Sequence, residues 1–404
     1  MDNNNGFCHS RIPFELFRTI FEFIDDKQTL VALALTSSVV SAEAEPILYR
    51  SMLNTTAAAQ GKFLRVVSRD RVRAGYVRQY ATFGTREPWI LTEGVRKALL
   101  DLLSVALAKM VNLKSFHLDF GAHGARSEDT LRAFLNQSFP FQLDEFHGFG
   151  LYRPPQLPEL VRFLSSQTKL RRLSLLRHHL ANTDYVESLE EYLLTNIEDT
   201  HTPDLVYLRG RLPLLLAFLP RRNITMAVWT LDPPRRSVPP GFSQEEGARR
   251  LAPHFKKLTY LSVGYTTTPA KSWDPPFCFI PTPILPNLEC LELYQFDYDH
   301  DAVLFLKRIP SLRMFIIPAS TAMVIWSPGQ MDFPVYGTAQ DVLLACPQVR
   351  FGAQVSAVSK DGSSPTEYIY TVWDSMADAR DPPAVYRVPP SALQTHHIFE
   401  LLPH

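Results

Sequence analysis

Asp297, Asp299 and Asp301 alternate in a way that comes nearest, in this chain, to a known chemistry: the oxygen cage of a calcium loop. That loop needs a glycine at its sixth position for the turn and a bidentate glutamate at its twelfth, and the chain has Ala302 and Arg308 there. The aspartates therefore read as a cap on the helix carrying Val303, Leu304 and Leu306. His178 and His179 are adjacent; on extended backbone such side chains point to opposite faces, so they are not expected to share a metal ion. The chain has no Gly-x-Ser-x-Gly elbow, phosphate-cradling Gly-rich loop, His-Glu-x-x-His helix or dinucleotide-binding Gly-x-Gly-x-x-Gly turn. Cys8, Cys278, Cys290 and Cys346 are scattered without Cys-x-x-Cys spacing, which argues against a zinc site or a disulfide framework and suits a reducing compartment. No catalytic residue, cofactor or metal is expected, which leaves recognition as the chemistry to look for.

The elements that would position recognising residues are short and many. The chain has 404 residues, more than one typical core, and 32 prolines, which suit short elements separated by turns. Lys plus Arg equals Asp plus Glu at 41 each, so no broad field favours nucleic acid or an anionic membrane as partner. The opening MDNNNGFCHS lacks a basic-then-apolar signal pattern and no apolar run reaches membrane-spanning length, so a cytoplasmic or nuclear protein is expected. Residues 54–75 read as a helical connector.

From there an apolar residue is repeatedly followed three and five positions later by two more: Leu113, Phe116, Leu118; Leu170, Leu173, Leu175; Leu258, Leu261, Val263; Leu288, Leu291, Leu293; Leu312, Phe315, Ile317. Weaker copies are Val77, Tyr80, Thr82; Leu143, Phe146, Gly148; and Leu205, Leu208, Gly210. A helical segment precedes many copies. This pattern resembles the leucine-rich repeat, one strand and one helix per unit, although the spacing is irregular, the usual asparagine is absent and the register is unassigned between Arg209 and Gly241. The resemblance implies an irregular solenoid whose strands line a concave face, with residues flanking the inward positions turned to a partner. His117, Arg172, Ser174, Arg209, Tyr260, Glu292 and Tyr294 are the candidate substrate contacts.

Ahead of the repeats, Ile12 to Met52 reads as three helices. Pro13 suits a first helical turn; Leu16, Ile20 and Phe23 make one apolar row, and Phe17, Phe21 and Ile24 a second beside it. One row can serve an internal core, and the other calls for a cover. Asp25 with Gln28 reads as a capping box for a second helix bearing Leu30 and Leu33, and Ser41 as the start of a third, interrupted at Pro46. The order Ile12-Pro13-x-Glu15-Leu16, Ile20, Phe23-Ile24, Thr29-Leu30, Leu33-Ala34 and Pro46-x-Leu48-Tyr49-Arg50 resembles an F-box of the kind common in fungal F-box proteins, with Tyr49 where many members carry Trp.

That resemblance implies a non-catalytic adaptor of α/β (α+β) class. A three-helix F-box (10–53) would dock on a Skp-type adaptor, and through it on a cullin-RING ubiquitin ligase, by way of Pro13, Leu16, Ile20, Phe23, Ile24, Leu30 and Leu33. The repeats (76–378) would hold the protein substrate, and 379–404 would form a cap or tail. The rival expectation is a leucine-rich-repeat interaction scaffold whose N-terminal helices are only a cap, with no ubiquitin-ligase role. The free face of Pro13 to Ile24 separates the two, because a cap would bury both apolar rows.

Overall fold

The computed structural model describes residues 13, 15–24, 26–53, 55–82, 92–119, 135–149, 157–176, 192–231, 244–265, 280, 285–294, 300–318, 339–358, 367–377 and 382–388. It opens with three helices: α1 (Glu15–Glu22), α2 (Lys27–Ala34) and α3 (Ser38–Arg50). They enclose a small core of Phe21, Leu30 and Ala44, with Phe17, Ile24, Leu33, Ile47 and Leu48 packed against it. The caps differ from the sequence reading. Asp26 caps α2, accepting from Gln28 N at 3.2 Å and Thr29 N at 2.8 Å, while Asp25 lies outside the described residues. Ser37 caps α3 by accepting from Val40 N at 3.2 Å, and the helix runs through Pro46 without a break. Proline there removes one internal hydrogen bond, and the packing of Ala44, Ile47 and Leu48 on both sides holds the helix together.

Among the described residues, thirteen strands form one sheet in strict chain order. They are β1 (Ser51–Met52), β2 (Gln79–Ala81), β3 (Ser115–Asp119), β4 (Glu145–Phe149), β5 (Arg172–Leu176), β6 (Tyr207–Gly210), β7 (Met226–Leu231), β8 (Tyr260–Tyr265), β9 (Cys290–Tyr294), β10 (Met314–Pro318), β11 (Phe351–Val358), β12 (Glu367–Asp374) and β13 (Ala384–Val388). From β1 to β11 every neighbouring pair is parallel. Parallel neighbours require crossovers, and many of these carry helices: α4 (Ala57–Val67), α5 (Arg71–Tyr76), α6 (Glu93–Leu107), α7 (Leu157–Ser166), α8 (Leu212–Phe218), α9 (Gln244–Leu251), α10 (His300–Lys307) and α11 (Ala339–Ala345). None of the described helices is long and apolar enough to cross a membrane.

The apolar triplets become columns. Tyr80, Phe116, Phe146, Leu173, Leu208, Ala227, Leu261, Leu291 and Phe315 are register partners from strand to strand, and all are buried in the core shared with the helices. Strand alternation sends Leu118, Leu175, Trp229, Val263, Leu293 and Ile317 to the same side. A backbone device repeats with them, in which one carbonyl accepts two successive amides where the next strand begins. Arg78 O accepts from Lys114 N at 2.8 Å and Ser115 N at 3.0 Å, and the pattern recurs at Lys114, Asp144, Arg171, Val206, Thr225, Thr259 and Glu289. The chain is thus a solenoid-like stack of strand-bearing units, open at its ends, as the repeat reading expects.

Two features go beyond that reading. β7 fills part of the stretch whose register was unassigned: Ile224, Ala227 and Trp229 keep the three-and-five spacing and are buried, but alanine in the middle position weakened the signal. At the far end β12 pairs antiparallel with β11, and β13 with β12. Returning strands need no helical crossover, and among the described residues the stack ends on these antiparallel strands. Gly352, in β11, is held where a Cβ would meet Leu343 Cγ and Phe315 Cζ, each at 2.9 Å, and the Ala339 carbonyl at 3.1 Å. Gly352→Ala is therefore expected to destabilise the C-terminal units by about 1–3 kcal/mol through overpacking, read as a lower urea midpoint.

The three helices are tied to this stack. Glu45 pairs with Arg73 at 2.6 Å, and the Arg73 guanidinium lies 5.6 Å from the Tyr49 ring centroid. An aromatic ladder then runs Tyr49–Phe63 (5.8 Å), Phe63–Tyr80 (6.1 Å), Tyr80–Phe116 (6.3 Å), Phe116–Phe146 (5.9 Å) and Phe146–Phe163 (5.0 Å).

Candidate functional site

Two surfaces carry the candidate residues. The first is α1 and its surroundings. An eight-residue helix bearing two apolar rows has a choice of which to bury, and here Phe21 is buried, with Phe17 and Ile24 half-buried against α2 and α3. The other row faces outward, with Leu16 49% exposed, Ile20 44% and Phe23 82%. Six of the thirteen exposed large apolar side chains among the described residues fall between Leu16 and Val39. Exposed apolar side chains gathered in one stretch make it a candidate interaction surface. Pro13 is exposed beside it. Leu30, expected on the docking surface, is instead buried in the unit's own core, and Leu33 is half-buried there; a three-helix unit this small needs them to hold itself together.

The second surface is the sheet face turned away from the helices, and it divides along the stack. In the N-terminal half it is polar. Ser115, His117, Glu145, His147, Arg172, Ser174, Tyr207 and Arg209 occupy alternate positions of β3 to β6, in register. Ser115 Oγ donates to Glu145 Oε2 at 3.0 Å and lies 3.2 Å from His117 Nε2; His147 Nε2 lies 2.8 Å from Glu145 Oε1. The two imidazole centroids are 4.2 Å apart. Burial, and secondarily His147, pushes His117 down to about 3, so it is neutral at neutral pH. Burial works against the Glu145 carboxylate, but the hydrogen bond from His147, the two imidazoles and Ser115 outweigh it and hold Glu145 down to about 2. Arg172 and Arg209 are half-buried on the following strands, and Arg209 Nε is buried without a hydrogen-bond partner among the described residues. Burial also pushes the Tyr207 phenol up to about 12.

In the C-terminal half the same face is apolar and closed. Tyr260, Cys290, Met314, Ile316, Phe351, Ala353, Val355, Tyr370, Val372 and Val388 form a second core there. Burial, with Glu292 and Glu289 nearby, raises the Cys290 thiol well above its ordinary value.

Of the expected substrate contacts, His117, Arg172 and Arg209 are half-buried on the polar half. Ser174, Tyr260 and Glu292 are buried, and this corrects their reading as surface contacts: the strand face at these positions is itself packed. Tyr260 Oη donates to Glu292 Oε2 at 2.6 Å. Tyr260→Phe removes that donor from a buried carboxylate and is expected to cost about 1.5–3 kcal/mol, measured as a lower urea midpoint at unchanged slope. Tyr294 ends β9, and its side chain lies outside the described residues, as do His178 and His179.

The sequence reading passed over Glu145 and His147. The signal was the repeated pair of polar residues around a central phenylalanine, Ser115-Phe116-His117 and Glu145-Phe146-His147, which parallel stacking turns into one cluster.

No known protein-family profile matches the sequence, and no characterised protein is significantly similar to it. Among solved structures, the chain is similar to the crystal structure of the leucine-rich repeat-containing protein LegL7 from Legionella pneumophila, at 14% identity and a TM-score of 0.37 over 76% of this chain and 80% of that one. At that score the likeness adds nothing to the geometry above.

Proposed function

We propose that this chain is a non-catalytic protein-interaction scaffold built on a strand-and-helix repeat, with two surfaces for two partners. The polar half of the sheet face turned away from the described helices receives one, a protein substrate or client, through His117, Arg172 and Arg209. The outward row of α1 receives the other. The finer reading, which the F-box resemblance supplies, makes that second partner a Skp-type adaptor and through it a cullin-RING ubiquitin ligase, so that the chain tethers its client and raises the client's effective concentration near the ligase. The observation that carries the two-partner reading is the split of α1: Phe17, Phe21 and Ile24 pack inward while Leu16, Ile20 and Phe23 stay outside. A helix acting only as a cap would have both rows covered.

The plain scaffold, with no ligase, has its own support. Glu45, Tyr49 and the aromatic ladder join the three helices firmly to the first units, as a cap would be joined. Buried free thiols at Cys290 and Cys346 suit the cytoplasmic or nuclear setting we assign. Co-purification of the full chain with a recombinant Skp-type adaptor tests the finer reading. A stable stoichiometric complex supports it, and no complex from a folded chain leaves the scaffold alone.

A further inference from the structure

The polar half of the sheet face holds a donor set of which the scaffold reading uses only His117. We propose that His117, Glu145 and His147 form a binding site for a zinc-class divalent transition-metal ion. Two imidazoles and one carboxylate are the nitrogen and oxygen donors that such ions take, with three protein ligands leaving a fourth position for water or for a donor from a bound partner.

The backbone builds the site. His117 and His147 are direct register partners on β3 and β4. Glu145, two residues before His147 on the same strand, faces the same side. Each of the three offers a ligand atom, and these atoms all lie within 4.8 Å of one another. Zinc bonds of about 2.0–2.1 Å place tetrahedral ligand atoms about 3.3 Å apart, so small rotations of side chains already in contact complete the set. The ion would sit between His147 Nε2 and Glu145 Oε1, which already lie 2.8 Å apart.

A supporting shell is present as well. Ser115 donates to Glu145 Oε2, the carboxylate oxygen that does not face His147. Hydrogen bonds of this kind orient ligating carboxylates at metal centres. The backbone beneath the site is anchored, because Phe116 and Phe146, beside the ligands, are buried in the main core. A site on packed strands keeps its geometry better than one on a loop.

The test is calorimetric titration of zinc chloride into chelator-stripped full-length protein. One ion per chain is expected. Affinity should fall by about 10–100-fold in Ser115→Ala, which removes only an orienting hydroxyl, and by more in Glu145→Gln and His147→Ala. Equal uptake by the wild type and by His117→Ala/His147→Ala would overturn the site, as would no saturable binding by the wild type. Should the variants fail to fold, X-ray absorption of the zinc-loaded wild type decides the matter. Nitrogen and oxygen neighbours with imidazole outer-shell scattering support the site, and sulfur neighbours place the ion on cysteine and refute it.

Discussion

Replacing Ile20 and Phe23 together by aspartate is expected to weaken binding to a Skp-type adaptor by at least about a hundredfold while the repeat stack stays folded. The size follows from what a buried apolar anchor contributes at an interface, about 2–4 kcal/mol on truncation, and each 1.4 kcal/mol is about tenfold in affinity. An aspartate adds the cost of burying an unpaired carboxylate against the partner. The stack should be spared because Phe23 is 82% exposed and Ile20 44% exposed, so little of the chain's own packing rests on them. The control is the inward row: Phe21→Ala would damage the three-helix core itself. Surface plasmon resonance with the full chain, alongside a thermal melt of each variant, separates the two effects. Unchanged affinity in the double aspartate variant would mean that the outward row is not the docking surface.

Phe146→Ala should have the largest effect on stability, about 3–5 kcal/mol for a fully buried aromatic. Phe146 is buried and meets Phe116 at 5.9 Å and Phe163 at 5.0 Å, so its removal opens a cavity in the middle of the aromatic ladder. Set against the 5–15 kcal/mol that typically holds a domain together, that is a large share. Because each unit of a stacked array leans only on its neighbours, the loss should be local. Units around β3 to β5 should lose hydrogen-exchange protection first, and urea unfolding should become broader or biphasic. A cost below about 1 kcal/mol would show that the ring is not packed as described.

Taken together, the two variants distinguish the two jobs of the aromatic and apolar residues near the N-terminus. Phe23 and Phe146 are both phenylalanines in apolar patterns. One is outside because α1 is too short and too near the edge of the stack to be wrapped, and the other is inside because strands lie on both sides of it. Binding should respond to the first and stability to the second.

Much of the core was legible from residue order alone. The triplets from Leu113-Phe116-Leu118 to Leu312-Phe315-Ile317, and even weak copies such as Leu143-Phe146-Gly148, lie on the buried side. Strand alternation is a local property of the backbone, so spacing within a few residues suffices to tell inside from outside. The same holds for the two apolar rows of α1, which follow from helical periodicity. What spacing left open was which row α1 buries, that Ala227 occupies a core position, and that the last strands turn back antiparallel. Each of these depends on what lies across from a residue.

The polar cluster makes the division plainest. Sequence by itself put His117 on a strand face, because one strand is enough for that. It could not bring Glu145 and His147 to it, since they lie about thirty residues away along the chain and meet His117 only through the parallel register of β3 with β4. Nor could it bury Tyr260 and Glu292, whose face is closed by a second core assembled from β8 to β13. Periodicity determined the faces of the elements; register and stacking, set by long-range backbone pairing, decided which side chains share a site and which are covered.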